Sequence, residues 1–239
     1  LNFNPQLALR CAESLRALYR GDVASTIANV TTDTQVRIEE AHAGEFVILF
    51  PGSVGAKDWL TNARVALETW DADEFAKVHR GFARAFWSVK TDIFRAVQHA
   101  DRLIIAGHSL GGALATLCAD ALVSFGHAEE IHRVITFGSP RVGNPGFAAN
   151  YNTALDTKTQ RVVNAGDPVP HIPWLLGRYR HVDTQVYLQR DGEVRIDEPL
   201  RVAVQEIKHT FTTVQQQHAA LFGASHGIDA YIGKLKGLK

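Results

Sequence analysis

LIIAGHSLGGALATLCADALVSF (residues 103–125) joins a strand to a helix through a serine-bearing turn. The apolar run Leu103, Ile104, Ile105 and Ala106 has the pattern of a buried strand, and residues 113–125 that of a helix. Between them lies GHSLGG (residues 107–112). The backbone of such a turn is sharply strained, and a Cβ two residues before or after the serine would collide with the neighbouring strand or helix. Gly107 and Gly111 remove both collisions. The turn lifts the Ser109 hydroxyl clear of the sheet, and the Leu110 N–H, in the first turn of the helix, points where an oxyanion would form. Ser109 is therefore a candidate nucleophile and Leu110 a candidate oxyanion donor.

Outward from this unit, apolar strands alternate with helical patterns, which predicts an α/β fold with a mainly parallel central sheet and helices on both faces. Asn4 and Pro5 have the order of an N-cap and a first-turn proline, opening a helix through about Tyr19. Residues 35–40 alternate polar and apolar as an edge or antiparallel strand would, and residues 45–50 form a buried strand stopped by Pro51 and Gly52. A further strand is expected within 64–70 and a helical pattern over 81–100. Buried strands follow at 133–137 and 161–164, an alternating strand at 184–188 before the turn at Asp191 and Gly192, and a short helix at 227–235. No repeat or linker divides the chain, so residues 1–239 are expected to form a single domain.

With 46% apolar residues in 239, the chain can bury one sizeable core. Lys and Arg total 25, as do Asp and Glu, so no bulk field favours nucleic acid or an anionic membrane. No run of about eighteen apolar residues occurs, which argues against a spanning helix. The opening LNFNPQLALR lacks the charged-then-apolar order of a secretory leader. The chain starts at Leu1 and has no Met, so an original start is expected to be missing, and location is left open between secreted and cytoplasmic. Cys11 and Cys118 stand among apolar neighbours as buried free thiols, and their spacing offers no metal site.

A serine nucleophile needs a base, and the base needs an orienting carboxylate. In an α/β-hydrolase arrangement the acid follows the serine and the histidine follows the acid. Asp167, in NAGDPVP, lies just past the C-terminal end of a strand, where catalytic groups gather in open α/β sheets. Asp183 is the runner-up. The chain has 11 histidines; His42, His79, His99 and His108 precede the serine, and His127 and His132 precede the acid. Of the remainder, His226 in SHGIDAY stands on a loop before the last helix and completes a Ser109, Asp167, His226 set. His218 belongs to a polar run that has the look of a solvated helix face, His209 carries no such context, and His171 and His181 are expected to orient loops around a pocket.

Together with GHSLGG, four segments in order resemble the class 3, or fungal-type, lipase family of the α/β-hydrolase superfamily. They are FPGSVGAKDWL (50–60), VHRGF (78–82), TFGSPRVGN (136–144) and NAGDPVPHIP (164–173). The resemblance implies ester hydrolysis through an acyl-enzyme, with no cofactor or metal. Its substrates would be acylglycerol or other fatty-acyl esters. It makes Ser53 the second oxyanion donor and places a lid at about 54–63, with Trp59 and Leu60 as lid or substrate-binding residues. Lys57, Asp58, Thr61 and Asn62 make that lid half polar, Pro51 stands where the family writes arginine, and the disulfides of fungal members are absent. These departures imply modest interfacial activation and esters of short or medium acyl length. Three alternatives stay open: a phospholipase effector, a feruloyl-type esterase, and a non-catalytic module that binds a lipid or a partner. Contact with a lipid interface would be transient, and oligomeric state is undetermined.

Overall fold

Asn4 and Pro5 open the first helix as their order predicts. The Asn4 side chain accepts the Leu7 N–H at 2.9 Å, and α1 (Pro5–Arg20) ends where Gly21 takes a left-handed φ of 72°. The computed structural model describes residues 3–52, 66–71, 73–155, 157–173, 177–197 and 225–238. Within them α1 is followed by β1 (Ile27–Asn29), β2 (Thr34–His42), β3 (Glu45–Phe50), β4 (Leu67–Trp70), β5 (Asp73–His79), α2 (Arg80–Trp87), α3 (Lys90–Val97) and β6 (Arg102–His108). Then come α4 (Leu110–Ser124), β7 (Ile131–Phe137), α5 (Pro145–Leu155), β8 (Thr159–Asn164), β9 (Thr184–Leu188), β10 (Val194–Asp197) and α6 (Ile228–Lys236).

The main sheet runs β1-β2-β3-β6-β7-β8-β9-β10. Its centre, β3 through β9, is parallel, and antiparallel strands flank it on both edges. Successive side chains of a strand point to opposite faces, so the continuous apolar runs of β3 and β6 feed two cores. Leu103, Ile105, Ile48 and Phe50 pack with α2, α3, α4 and α5, while Ile104, Ala106 and Leu49 pack with α1 and α6. Helices therefore cover both faces. Helix α4 is buried almost all round, as a helix apolar on every side must be. Cys118 lies in the first core and Cys11 in the second; both are buried free thiols, with the sheet between them.

Helix α1 lays Leu7, Cys11, Leu15 and Leu18 against the sheet and α6. Full burial of a leucine stabilises by about 1.5–3 kcal/mol, so this stripe dominates its docking. Arg16 and Arg20 both approach Asp229 of α6, at 3.5 and 3.7 Å, and Lys236 reaches Glu13 at 3.1 Å. Such exposed pairs add about 0–1 kcal/mol each and mainly fix how the two helices align.

Several elements depart from expectation, among them the short strands β1 and β10, which no expected strand covers. The helical pattern at 81–100 is two helices, α2 and α3, because the Ser88 hydroxyl turns back to donate to the Ala85 carbonyl at 2.7 Å and ends the first. Helix α5 was not expected, since its apolar residues keep no clear period, yet it starts on the same order as α1. Asn144 precedes Pro145, and its side chain accepts the Phe147 N–H at 2.9 Å. Strand β5 pairs with β4 in a separate two-stranded sheet, bridges Gly143 through Val78, and runs into α2 at VHRGF, where the His79 ring accepts the Gly81 N–H at 3.1 Å. Burial, with help from Arg80, pushes that ring down to about 4, so it stays a neutral acceptor.

Trp70 on β4 donates its indole N–H to Asp120 of α4 at 2.6 Å and stacks on Trp87 at 4.9 Å. Burial, aided by Asp71, raises the Asp120 carboxyl from 3.8 to about 6, against the pull of that hydrogen bond. A carboxyl that holds its proton more tightly when folded stabilises fully below its unfolded pKa, and the contribution is lost as pH rises through the folded value. Asp120→Asn keeps an acceptor for Trp70 without the charge. Urea titrations should find it more stable than the wild type by about 1–3 kcal/mol at pH 7.5, with the gain shrinking as pH falls through 6 and approaching zero only below about pH 4.

Candidate active site

Ser109 sits between β6 and α4 at φ 59° and ψ −127°, the left-handed strain that a nucleophile elbow requires. The two glycines do what their positions predict. A Cβ on Gly107 would stand 2.0 Å from the Gly111 carbonyl oxygen, and one on Gly111 would stand 2.0 Å from that of Phe50. No side chain fits either gap. The Ser109 N–H donates to Phe137 of β7 at 2.9 Å, which pins the turn to the next strand. Leu110 opens α4, so its N–H has no acceptor within the helix.

Asp167 lies past the C-terminal end of β8, beyond Gly166 at φ 87°. Its Oδ1 accepts the Val169 N–H at 2.9 Å. His226 arrives from the far end of the chain, just before α6, and two contacts tie its loop to that of Asp167. The Asn164 amide donates to the Ser225 carbonyl at 2.7 Å, and the Ser225 hydroxyl to the Gly166 carbonyl at 2.8 Å. The sequence-predicted trio then closes. His226 Nδ1 lies 2.9 Å from Asp167 Oδ2, and His226 Nε2 lies 2.8 Å from Ser109 Oγ. A carboxylate only accepts, so Nδ1 carries the proton and Nε2 is left to accept from the serine hydroxyl. All three residues are buried, Ser109 at 2% exposure.

Asp183, the alternative acid, is elsewhere: its carboxylate accepts from Thr159 and Thr184 at the N-terminal ends of β8 and β9, opposite the elbow. His181 does orient a loop, with Nε2 2.6 Å from the Pro170 carbonyl. His171 contributes through its backbone, whose carbonyl, like that of Pro173 at 2.8 Å, accepts from Arg141 and so ties the segment after Asp167 to the one after β7. Ser53, Trp59 and Leu60, the proposed lid at 54–63, and His209 and His218 lie outside the described residues.

Two contributors escaped the sequence. Tyr231, five residues after His226 and fully buried, donates its hydroxyl to Asp167 Oδ2 at 2.5 Å. Burial and the adjacent carboxylate push the phenol well up, so it stays protonated and donating. His108, passed over as a base because it precedes the serine, stacks on the His226 ring with centroids 4.8 Å apart. Its Nε2 is 2.7 Å from the His226 carbonyl. Burial and the neighbouring His226 push His108 down to about 3. The spacing in SHGIDAY could have flagged Tyr231 as an inward residue of α6; nothing in the sequence flags the His108 contact. Gly138, at φ 58°, leaves room for the whole group. A Cβ there would meet Asp167 Oδ2 at 2.6 Å, the Tyr231 hydroxyl at 2.9 Å and His226 Nδ1 at 3.0 Å.

A parallel sheet carrying a strained serine at one strand end, with an acid and a histidine supplied in that order from later loops, defines an α/β hydrolase. Within that class the family can be stated. The chain belongs to the class 3 lipase family, whose model matches residues 47–176. It is 36% identical over 150 residues to the secreted mono- and diacylglycerol lipase 1 of Fusarium solani, covering 60% of this chain and 44% of that relative. It is 26% identical over 223 residues to a lipase of Rhizomucor miehei, covering 86% of this chain and 60% of the relative. The chain thus spans about half the length of these curated relatives. Among solved structures, a lipase from Rhizopus microsporus var. chinensis superposes with a TM-score of 0.69 at 25% identity, over 80% of this chain and 75% of that one.

Replacing Tyr231 by Phe keeps the ring and removes one donor from a buried carboxylate. Hydrogen bonds to charged groups contribute about 1.5–3 kcal/mol, so urea unfolding of Tyr231→Phe near neutral pH should report a loss in that range.

Proposed function

We propose that this protein is a serine carboxylic-ester hydrolase of the lipase type, acting on acylglycerol or other fatty-acyl esters. The observation that carries the reading is the unbroken line from Asp167 through His226 to Ser109, with contacts of 2.9 and 2.8 Å at the two ring nitrogens. Membership of the class 3 lipases and the names of its relatives support the lipid-ester substrate.

In this mechanism Ser109 Oγ attacks the ester carbonyl while its proton passes to His226 Nε2. Asp167 fixes the tautomer and stabilises the imidazolium, and Tyr231 holds Asp167 in place. The negative charge on the former carbonyl oxygen is met by the Leu110 N–H, with the Ser53 amide as the proposed second donor. Each such donor is worth about 2.7–4 kcal/mol in the transition state. Collapse breaks the bond to the alcohol, which takes the proton from His226 and leaves an acyl-Ser109 ester. Water, deprotonated by His226, then attacks that ester; collapse breaks the acyl–Oγ bond, His226 returns the proton to Ser109 Oγ, and the carboxylic acid leaves. The half-polar composition of 54–63 supports esters of short or medium acyl length, with modest dependence on an interface.

Ser109→Ala should lower p-nitrophenyl ester cleavage by about ten-thousandfold or more while the circular dichroism spectrum is retained. Turnover within tenfold of wild type would refute the assignment. A fluorophosphonate should label the wild type one-to-one and leave the alanine variant unmarked, an outcome that a non-catalytic binding module would not give. On an ester series the rate should peak between butyrate and octanoate; a many-fold jump as substrate exceeds its solubility would overturn the modest interfacial dependence.

A further inference from the structure

Tyr19 stands in the last turn of α1, outside the segment matched by the family, and half its business is with the elbow. Its hydroxyl oxygen lies 2.5 Å from the Gly52 nitrogen and 2.8 Å from His108 Nδ1. The proton directions are forced. A backbone N–H can only donate and a carbonyl can only accept, so the phenol accepts from Gly52, the neutral His108 ring needs its proton on Nε2 to meet the His226 carbonyl, and the bare Nδ1 takes the phenol's own hydrogen. The Nε2 N–H donates to that carbonyl at 2.7 Å. One neutral tautomer of His108 satisfies the chain from end to end.

We propose that Tyr19, acting through His108, is a positioning residue for ester hydrolysis, setting Gly52 and the His226 backbone together around Ser109. The inference rests on the serine-hydrolase reading above. Gly52 immediately precedes Ser53 in sequence, and it runs against the elbow: a Cβ on it would meet the Tyr19 hydroxyl at 2.6 Å, the His108 carbonyl oxygen at 2.9 Å and Ser109 Cβ at 3.0 Å. The other end of the relay is the base itself, whose ring lies stacked on His108. Tyr19 meets the His108 ring edge-on, with centroids 5.7 Å apart. Its side chain is not part of the apolar stripe that docks α1, and the residue is 37% exposed. A tyrosine kept for packing would have no need of two partners that both border the nucleophile. The neutrality of His108 agrees with this role, since burial holds its ring unprotonated and Nδ1 free to accept.

Electrostatic catalysis depends on groups held ready before the reaction, and small misplacements remote from the chemistry lower the rate of the chemical step more than binding. Tyr19→Phe keeps the ring and deletes the relay. Measured on p-nitrophenyl butyrate and normalised by fluorophosphonate titration, it should lose about 10- to 100-fold in kcat with KM within about twofold. His108→Leu should lose a similar factor, and the double variant no more than the worse single one, because both cut the same chain. A kcat for Tyr19→Phe within twofold of wild type overturns the proposal. So does a variant whose Tm falls while its titrated, folded fraction turns over normally, or a pair whose losses multiply. A wild type that cleaves no ester at all would overturn the functional reading and this inference with it. A hydrolysing wild type matched by Tyr19→Phe would overturn only the latter.

Discussion

The site depends on how closely the first turn of α4 can approach the end of β3. A Cβ at Gly111 would sit 2.0 Å from the Phe50 carbonyl oxygen, so helix and strand touch backbone to backbone. With that approach the Leu110 amide comes to the strand end that leads into the FPGS segment. Without it the helix would have to lift away, and the serine with it. The left-handed φ of Ser109 costs about 1–3 kcal/mol, a strain that persists only where surrounding contacts over-determine it. Here the Phe137 carbonyl holds the Ser109 amide, and α4 is enclosed by core on nearly every side.

A second requirement is that loops distant in sequence meet at the same point. Asp167 and His226 are 59 residues apart, and each would be one mobile side chain on a turn were the turns not joined. The Asn164 and Ser225 side chains each donate to a carbonyl of the opposite loop, Arg141 gathers the carbonyls beyond Asp167, and Tyr231 brings α6 into contact with the carboxylate. The carboxylate therefore receives donors from its own loop, from His226 and from a helix. Polar groups this deeply buried hold one arrangement because every alternative leaves a donor or acceptor unpaired.

What the sequence revealed follows the range of the forces concerned. The elbow was legible because its strand, serine, glycines and helix are contiguous in the chain, and α1 because an asparagine and a proline satisfy the start of a helix locally. The strands of the parallel centre were legible from apolar runs that only double-sided burial explains. Asp167 and His226 could be ordered along the chain but not brought together, since their meeting depends on contacts between loops. His108 and Tyr19 were silent for the same reason, while Tyr231 showed only as an inward residue of the last helix. Helix α5 shows a different limit: its capping signal was present at Asn144 and Pro145, but its apolar residues lacked the period that would have drawn attention to it. The helical pattern of 81–100 erred the other way, because a periodic stretch does not announce the one serine that turns its hydroxyl back on the backbone.

The pairing of α1 with α6 changes what counts as the working unit of this polypeptide. The family match begins at residue 47, which leaves all of α1 outside it, and ends at 176, which leaves out α6 as well. A chain trimmed to the matched stretch would keep Ser109 and Asp167 and lose His226. One trimmed only at its front would keep all three chemical groups, yet α6 would lose the leucine stripe it packs on and the arginines that flank Asp229. The helix carrying Tyr231 would then present a bare apolar side to water next to the histidine loop. Residues that lie outside the family match are, in this molecule, the floor beneath the loop of His226.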